Sequence, residues 1–102
     1  MLTFVTHTEA PPHEVRVNFG VFAGRNVTPA EIDDLARALL PELVHVTIVA
    51  EDRREVSETM EIALHQVRIE VPDGVDVQRV ASQAEAWARS CIADRHADVA
   101  EV

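Results

Sequence analysis

Hydrophobic and polar residues alternate with a period of two in several stretches of the chain, which is the pattern of half-buried β-strands. The clearest alternation predicts a strand over 14–23, where valine or phenylalanine occupies every second position. Similar patterns predict strands over 44–51 and 61–71, and a shorter one over 2–6. The charged segment 52–55 separates two of these stretches, so we expect it to form the tip of a β-hairpin.

A first helix is predicted from its start and stop signals. Thr28 provides an N-cap hydroxyl, Pro29 follows at the first helical position, and Glu31 completes a capping box. Hydrophobic residues then recur at helical spacing until Pro41 ends the pattern. We therefore expect a helix over 29–40.

A second helix is predicted after the turn at 72–74, with Asp76 as its N-cap. An apolar stripe opposes charged and amide side chains along this segment and continues to about Arg95. The last residues, 96–102, are few and polar, and we expect them to fray.

The predicted order of elements is strand, strand, helix, strand, strand, helix. We expect one α+β domain over 1–102, with a mainly antiparallel four-stranded sheet and both helices on one face. This ββαββα arrangement is similar to a ferredoxin-like plait whose last strand has moved to the front. The likeness is one of architecture and implies no particular function.

The strand over 61–71 changes the face on which its apolar side chains lie. Ile62 and Leu64 share one face, whereas the apolar residues at 67, 69 and 71 share the other. A bulge near 65–66 would return all of them to the face that the helices cover. We favour a regular strand that leaves an apolar stripe on the uncovered face, because such a stripe is typical of a homodimer surface. The expected interface consists of Val49, Ala63, Val67, Ile69 and Val71.

The charge balance argues against several classes of partner. The 102-residue chain has 18 acidic and 9 basic residues, a net charge of −9, and every basic residue is arginine. This balance repels nucleic-acid backbones and anionic membranes, and no apolar run reaches the ~20 residues of a spanning helix. The first thirty residues lack a secretory signal pattern, so we expect a cytoplasmic protein.

The residue inventory also limits the chemistry. Cys91 is the only cysteine, and the chain contains neither lysine nor tyrosine. These counts exclude an intrachain disulfide, a zinc site made from several thiolates and lysine-based catalysis. We expect Cys91 and Trp87 to be core residues, and we expect no cofactor.

His45 and His65 are the candidates for a catalytic or metal site. Both lie on the predicted hairpin strands, where an even register sum would place them on one face, with Glu51 as a possible third group. Two imidazoles and a carboxylate can bind a divalent metal or transfer protons near neutral pH. We prefer the interpretation that they are ordinary sheet residues, because no spacing fixes a third ligand.

A helix N-terminus beside an arginine suggests a weak anion site. Gly24, Arg25 and Thr28 precede or cap the first predicted helix, whose free N–H groups and dipole favour negative charge. Arg25 could bind a phosphate or carboxylate through two hydrogen bonds. The same residues are also what a strand-to-helix turn with a capping box requires.

These features favour a small non-catalytic, homo-oligomeric binding or regulatory domain, with a homodimer as the expected state and a small anionic ligand as a candidate. One alternative is a small enzyme or metal-binding protein that uses His45 and His65. Another is an accessory subunit of a different protein, because an apolar face made for itself and one made for another partner have the same sequence pattern.

Overall fold

Four strands and three helices make up the computed structural model, which describes residues 3–41 and 43–101 and side chains as far as Ala93. Leu2, which we predicted to lie in the first strand, is outside the described residues. The elements are, in chain order, β1 (Val5–His7), β2 (His13–Val17), α1 (Phe19–Ala23), α2 (Pro29–Leu39), β3 (Thr47–Val56), β4 (Glu61–Val71) and α3 (Val77–Glu101).

The strands form one sheet in the order β1-β2-β4-β3, and each neighbouring pair is antiparallel. The expected α+β class with a four-stranded antiparallel sheet is therefore confirmed. The described residues contain three helices rather than the two expected, because α1 replaces part of a predicted strand.

One side of this sheet supplies the hydrophobic core. Val15 and Val17 of β2 pair with Ile69 and Val67 of β4, and all four side chains are fully buried. The helices cover this side with Leu35, Leu39, Val80, Ala84, Trp87 and Ala88. Burial of each large apolar side chain stabilises the fold by about 1.5–3 kcal/mol. We call the opposite side of the sheet the open face, and its central residues are Glu14, Arg16, Glu51, Gln66, Arg68 and Glu70.

β4 is a regular strand, but its two faces are the reverse of our expectation. Its register with β3 runs without interruption over all of β3 and over residues 61–70 of β4, so this stretch contains no bulge. Val67, Ile69 and Val71 are 0, 0 and 5 % exposed because they lie beneath the helices. The prediction that these three side chains form an uncovered apolar stripe is therefore wrong.

Val49 and Ala63, the other members of the predicted interface, lie on different faces. Val49 pairs with Arg68 on the open face, whereas Ala63 pairs with Arg54 on the side of the helices. The five predicted residues therefore do not form one surface. The physical reason is that odd positions of β4 face even positions of β3, and a one-residue difference in register moves every side chain to the other face.

The predicted strand over 14–23 ends at Val17 because Asn18 ties the chain to its neighbours. The backbone N–H of Asn18 donates to the carbonyl of Phe4 at 2.9 Å. The side-chain oxygen of Asn18 accepts from Nε2 of Gln66 at 2.6 Å. The ladder stops there, and the following residues turn into α1.

α1 packs closely against β4 at its first turn. A Cβ on Gly20 would lie 2.7 Å from the Cβ of His65, so only glycine allows this approach. Phe19 is fully buried in the core, and Gly24 ends α1 with a left-handed φ of 72°. The alternating pattern of 14–23 thus conceals a strand followed by one short helix.

β3 begins at Thr47 and extends to Val56, so the predicted loop 52–55 belongs to the strand. β2 pairs only with 67–71 of β4, which leaves the outer halves of β3 and β4 paired with each other alone. We call this two-stranded ribbon, residues 51–66, the arm. Every residue from 52 to 61 is exposed.

The predicted capping box of α2 is confirmed. The hydroxyl of Thr28 accepts from the backbone N–H of Glu31 at 3.2 Å, and Oε1 of Glu31 accepts from the N–H of Thr28 at 2.9 Å. α3 has the predicted Asp76 cap but continues to Glu101, past the expected end at Arg95. Fraying of 96–102 stays a prediction.

The assignment of the two sheet faces is testable with matched valine substitutions. We expect Val67→Ala to lower the free energy of unfolding by about 2–3 kcal/mol, because it leaves a cavity beneath the helices. Val49→Ala on the open face should cost less than about 1 kcal/mol. Urea unfolding of both variants measures the difference, and equal losses would contradict the face assignment.

Candidate functional site

A groove of about 830 Å³ lies between α2 and α3 and contains groups with shifted pKa values. α2 contributes Glu31 and Asp34, and α3 contributes Trp87 and Cys91. Arg25, from the loop between α1 and α2, also lines the groove. A concave site with perturbed titratable groups is the first place to look for function.

Arg25 and Glu31 form a bidentate ion pair in this groove. The two terminal nitrogens of Arg25 donate to the two carboxylate oxygens of Glu31 at 2.8 and 2.7 Å. The guanidinium also lies 5.3 Å from the ring centroid of Phe19, a cation–π contact. Nε1–H of Trp87 donates to the backbone carbonyl of Glu31 at 2.8 Å. Glu31 therefore connects α2 both to α3 and to the loop that precedes it.

The ion pair keeps both partners charged. Hydrogen bonds from Arg25 lower the pKa of Glu31 from 4.5 to about 2, and the same contact raises the pKa of Arg25. Glu31 also accepts from the backbone and hydroxyl of Thr28. Its carboxylate thus neutralises the arginine and the helix N-terminus together.

This geometry changes the basis of the anion hypothesis. Arg25 and Thr28 line this groove, whereas Gly24, the C-cap of α1, lines a neighbouring hollow together with Arg25. The carboxylate of Glu31 already accepts hydrogen bonds from the Arg25 guanidinium and from the backbone N–H of Thr28, the donors that we assigned to an external anion. Anion binding at Gly24, Arg25 and Thr28 stays a prediction, and it requires displacement of Glu31.

Cys91 faces the same groove as a protonated thiol. Burial, with a further contribution from the nearby Glu31 carboxylate, raises the pKa of Cys91 from 9.0 to about 12. A thiol in that state is a poor nucleophile at neutral pH. Cys91 packs against the hydrophobic core beside Trp87, so its contribution here is to packing.

The structure does not bring His45 and His65 together. His65 lies opposite Asp52 in the ladder, whereas His45 precedes β3, seven positions before Asp52. Thr47 and Asp52 alone are five positions apart on β3, about 17 Å of extended backbone, and His45 lies two residues before Thr47. Glu51 lies on the open face, on the other side of the sheet from His65. The predicted register between β3 and β4, which would have placed His45, His65 and Glu51 on one face, is therefore wrong by one residue.

Both ring nitrogens of His65 have partners. Nε2 accepts from the backbone N–H of Val27 at 3.3 Å, and Nδ1 lies 3.0 Å from Oδ1 of Asp52. Acceptance at Nε2 places the proton of the neutral ring on Nδ1, which then donates to Asp52. His65 therefore fastens the loop before α2 to the base of the arm.

The open face carries an ion network that the sequence analysis missed. Arg16 donates to Glu14 at 2.8 Å and to Glu51 at 2.6 Å. Arg68 lies 3.6 Å from Glu51 and 3.0 Å from Glu70. Glutamate and arginine two positions apart on each strand are a signal for this arrangement, because such residues share a face. The network balances most of the charge on this side of the sheet.

The described ranges, 3–41 and 43–101, contain no group of three or more His, Cys, Asp or Glu side chains placed to hold a metal ion. Within the same ranges, no helix is both long enough and apolar enough to cross a membrane. Comparison with known protein families, curated proteins and solved structures finds no match to this chain.

Replacing Glu31 tests the ion pair. We expect Glu31→Gln to lower the free energy of unfolding at pH 7 by about 2 kcal/mol, because Arg25 loses a charged partner. The folded-state pKa lies below the usual 4.5, so this stabilisation is complete above pH 4.5 and is lost as the pH falls through about 2.

Urea unfolding at pH 7 and at pH 3.5 measures both effects, and the difference between wild type and variant should shrink at the lower pH. Asp34→Asn is the control, because it removes an exposed pair with Arg37 and should cost less than about 0.5 kcal/mol. Equal losses from the two variants would show that the Arg25–Glu31 pair has no special role.

The state of Cys91 is testable by alkylation. We expect the native thiol to react with iodoacetamide at pH 8 at least about a hundredfold more slowly than the urea-unfolded thiol, because its pKa is raised. Mass spectrometry of quenched samples gives both rates. Similar rates in the native and unfolded chains would overturn this assignment.

Proposed function

We propose that the protein is a small non-catalytic, homo-oligomeric binding or regulatory domain that works as a homodimer. The observation that carries the proposal is the arm, a ribbon of two strands that extends beyond the rest of the sheet. An isolated two-stranded hairpin is marginally stable in water, so a long one usually gains from a partner.

The arm also exposes apolar side chains where a solvated hairpin would carry polar ones. Val56 and Met60, at its end, are 71 and 57 % exposed. Exposed apolar groups on a projecting element favour association with another surface. This replaces the sheet-face stripe as the support for a dimer, since Val67, Ile69 and Val71 are core residues.

The engagement of the reactive groups supports a binding role over a catalytic one. His65 uses both ring nitrogens in contacts within the chain, and Arg25 is paired with Glu31. The Cys91 thiol is protonated at neutral pH. A general base or nucleophile needs a free partner atom, which these contacts occupy.

The remaining parts of the proposal rest on sequence features alone. They are the cytoplasmic location, the relation to a ferredoxin-like plait with its last strand moved to the front, and a small anionic ligand near Arg25. The dimer proposal does not depend on any of them.

Oligomeric state tests the proposal directly. We expect sedimentation velocity and native mass spectrometry of the wild-type chain to show a dimer at micromolar concentration. Replacement of residues 56–61 by an Asn-Gly turn should give a monomer, because it removes both exposed apolar side chains and keeps Glu55 opposite Ile62.

Circular dichroism and urea unfolding establish that the shortened variant is folded. A wild-type monomer at all concentrations would overturn the proposal. A complex with a different protein in place of the dimer would instead support the accessory-subunit alternative.

A further inference from the structure

We infer that the end of each arm, residues 55–61, docks into an apolar hollow on a second copy of this chain, so that two arms are exchanged in one dimer. The inference rests on the proposed homodimer and names the two surfaces that form it. The hollow has a volume of about 480 Å³ and is lined by Phe4, Phe22, Arg89, Ile92 and Ala93.

The arm end has the chemistry of an acidic, apolar plug. Val56 and Met60 are its two exposed apolar side chains. Glu55, Glu58 and Glu61 surround them. Glu55 and Glu61 are paired with Arg53 and Arg54 of the same arm, so Glu58 is the acidic group that the arm end offers to a partner. The turn is held by the backbone N–H of residue 57, which donates to the carbonyl of Met60 at 2.7 Å.

The hollow has the complementary chemistry. The rings of Phe4 and Phe22 lie 4.7 Å apart between centroids, and Phe22 is 43 % exposed. The guanidinium of Arg89 lies over Phe4 at 5.3 Å from the ring centroid. Arg89 also lies 3.5 Å from Glu85 on the same helix, and this exposed pair contributes little, so the arginine can turn to Glu58 of an arm end.

The arm and the hollow lie toward the same end of the sheet. β2 finishes there at Val17, which pairs with Val5 of β1 on one side and with Val67 of β4 on the other. The hollow is built next to this point from Phe4 and from α1, and the arm leaves β4 immediately beyond it. The arm projects about 20 Å past this end, given the rise per residue of a strand.

A second copy is the occupant that this placement fits. Two chains related by a two-fold axis at this end of the sheet would each offer an arm to the hollow of the other. The same contact then forms twice and closes, as a symmetric dimer requires. Each chain carries both the arm end, with Glu58, and the hollow, with Arg89, so the two surfaces can pair between identical copies.

The test exchanges the charges of one contact. Glu58→Arg places a cation on the arm end, and Arg89→Glu places an anion at the hollow. We expect each variant alone to dimerise at least about tenfold more weakly than wild type, because like charges then face each other in both contacts. An equimolar mixture of the two variants should form heterodimers preferentially, since opposite charges face each other in both contacts of that pair.

Native mass spectrometry distinguishes the heterodimer from the homodimers by mass. Met60→Asp tests the apolar part and should weaken the dimer more strongly than Val44→Asp, a fully exposed control away from the arm. Heterodimers above the statistical proportion, with a weakened Met60→Asp dimer, support arm exchange.

Two other outcomes separate the two proposals. A wild-type dimer that survives Met60→Asp and both charge variants unchanged would overturn arm exchange and leave the homodimer in place through another surface. A wild-type chain that is monomeric throughout would overturn the homodimer and, with it, the exchange of arms.

Discussion

Residues 67–70 of β4 are paired along both edges, with β2 on one side and β3 on the other, and this double pairing sets which side chains face the helices. Successive side chains of a strand point to opposite faces of the sheet, so the face of one residue fixes the faces of all the others. Ile69 pairs with Val15 under the helices, so Val67 and Val71 must face the same way. The same alternation sends Arg68 and Glu70 to the open face, where they join the ion network.

The early end of β2 explains the rest of the architecture. Asn18 takes the place of the next ladder residue and holds Gln66 through its side chain, so β4 has no partner from β2 beyond that point. Gly20 then lets α1 pack against His65, which in turn holds Val27 and Asp52. The arm is therefore fastened at its base and exposed beyond it.

Much of this fold follows from local signals in the sequence. The capping box at Thr28 and the Asp76 cap place α2 and the start of α3, and the alternation over 61–71 places β4 at its observed bounds. Such signals depend on residues a few positions apart, which is why they transfer directly from sequence to structure.

The features that were missed depend on residues far apart in the chain. The strand over 14–23 is broken by Asn18, whose partners Phe4 and Gln66 come from distant segments. Hydrophobic alternation along β4 does not specify which set of alternate side chains faces the helices, because that depends on the register with the neighbouring strands. The pairing of Arg25 with Glu31 spans a loop whose course no local pattern specifies.

Several charged groups of this chain already have a partner of opposite charge within the same chain. Arg25 with Glu31, Arg16 with Glu51, and His65 with Asp52 are pairs in which each group already has a partner within the chain. A group in such a pair binds a new ligand only by giving up a contact that it already has. The side chains of Val56, Met60 and Phe22 are different, because they are large, apolar and exposed to water. Burial of these apolar side chains against a second copy would be favourable, and this is the physical basis of the proposed exchange of arms.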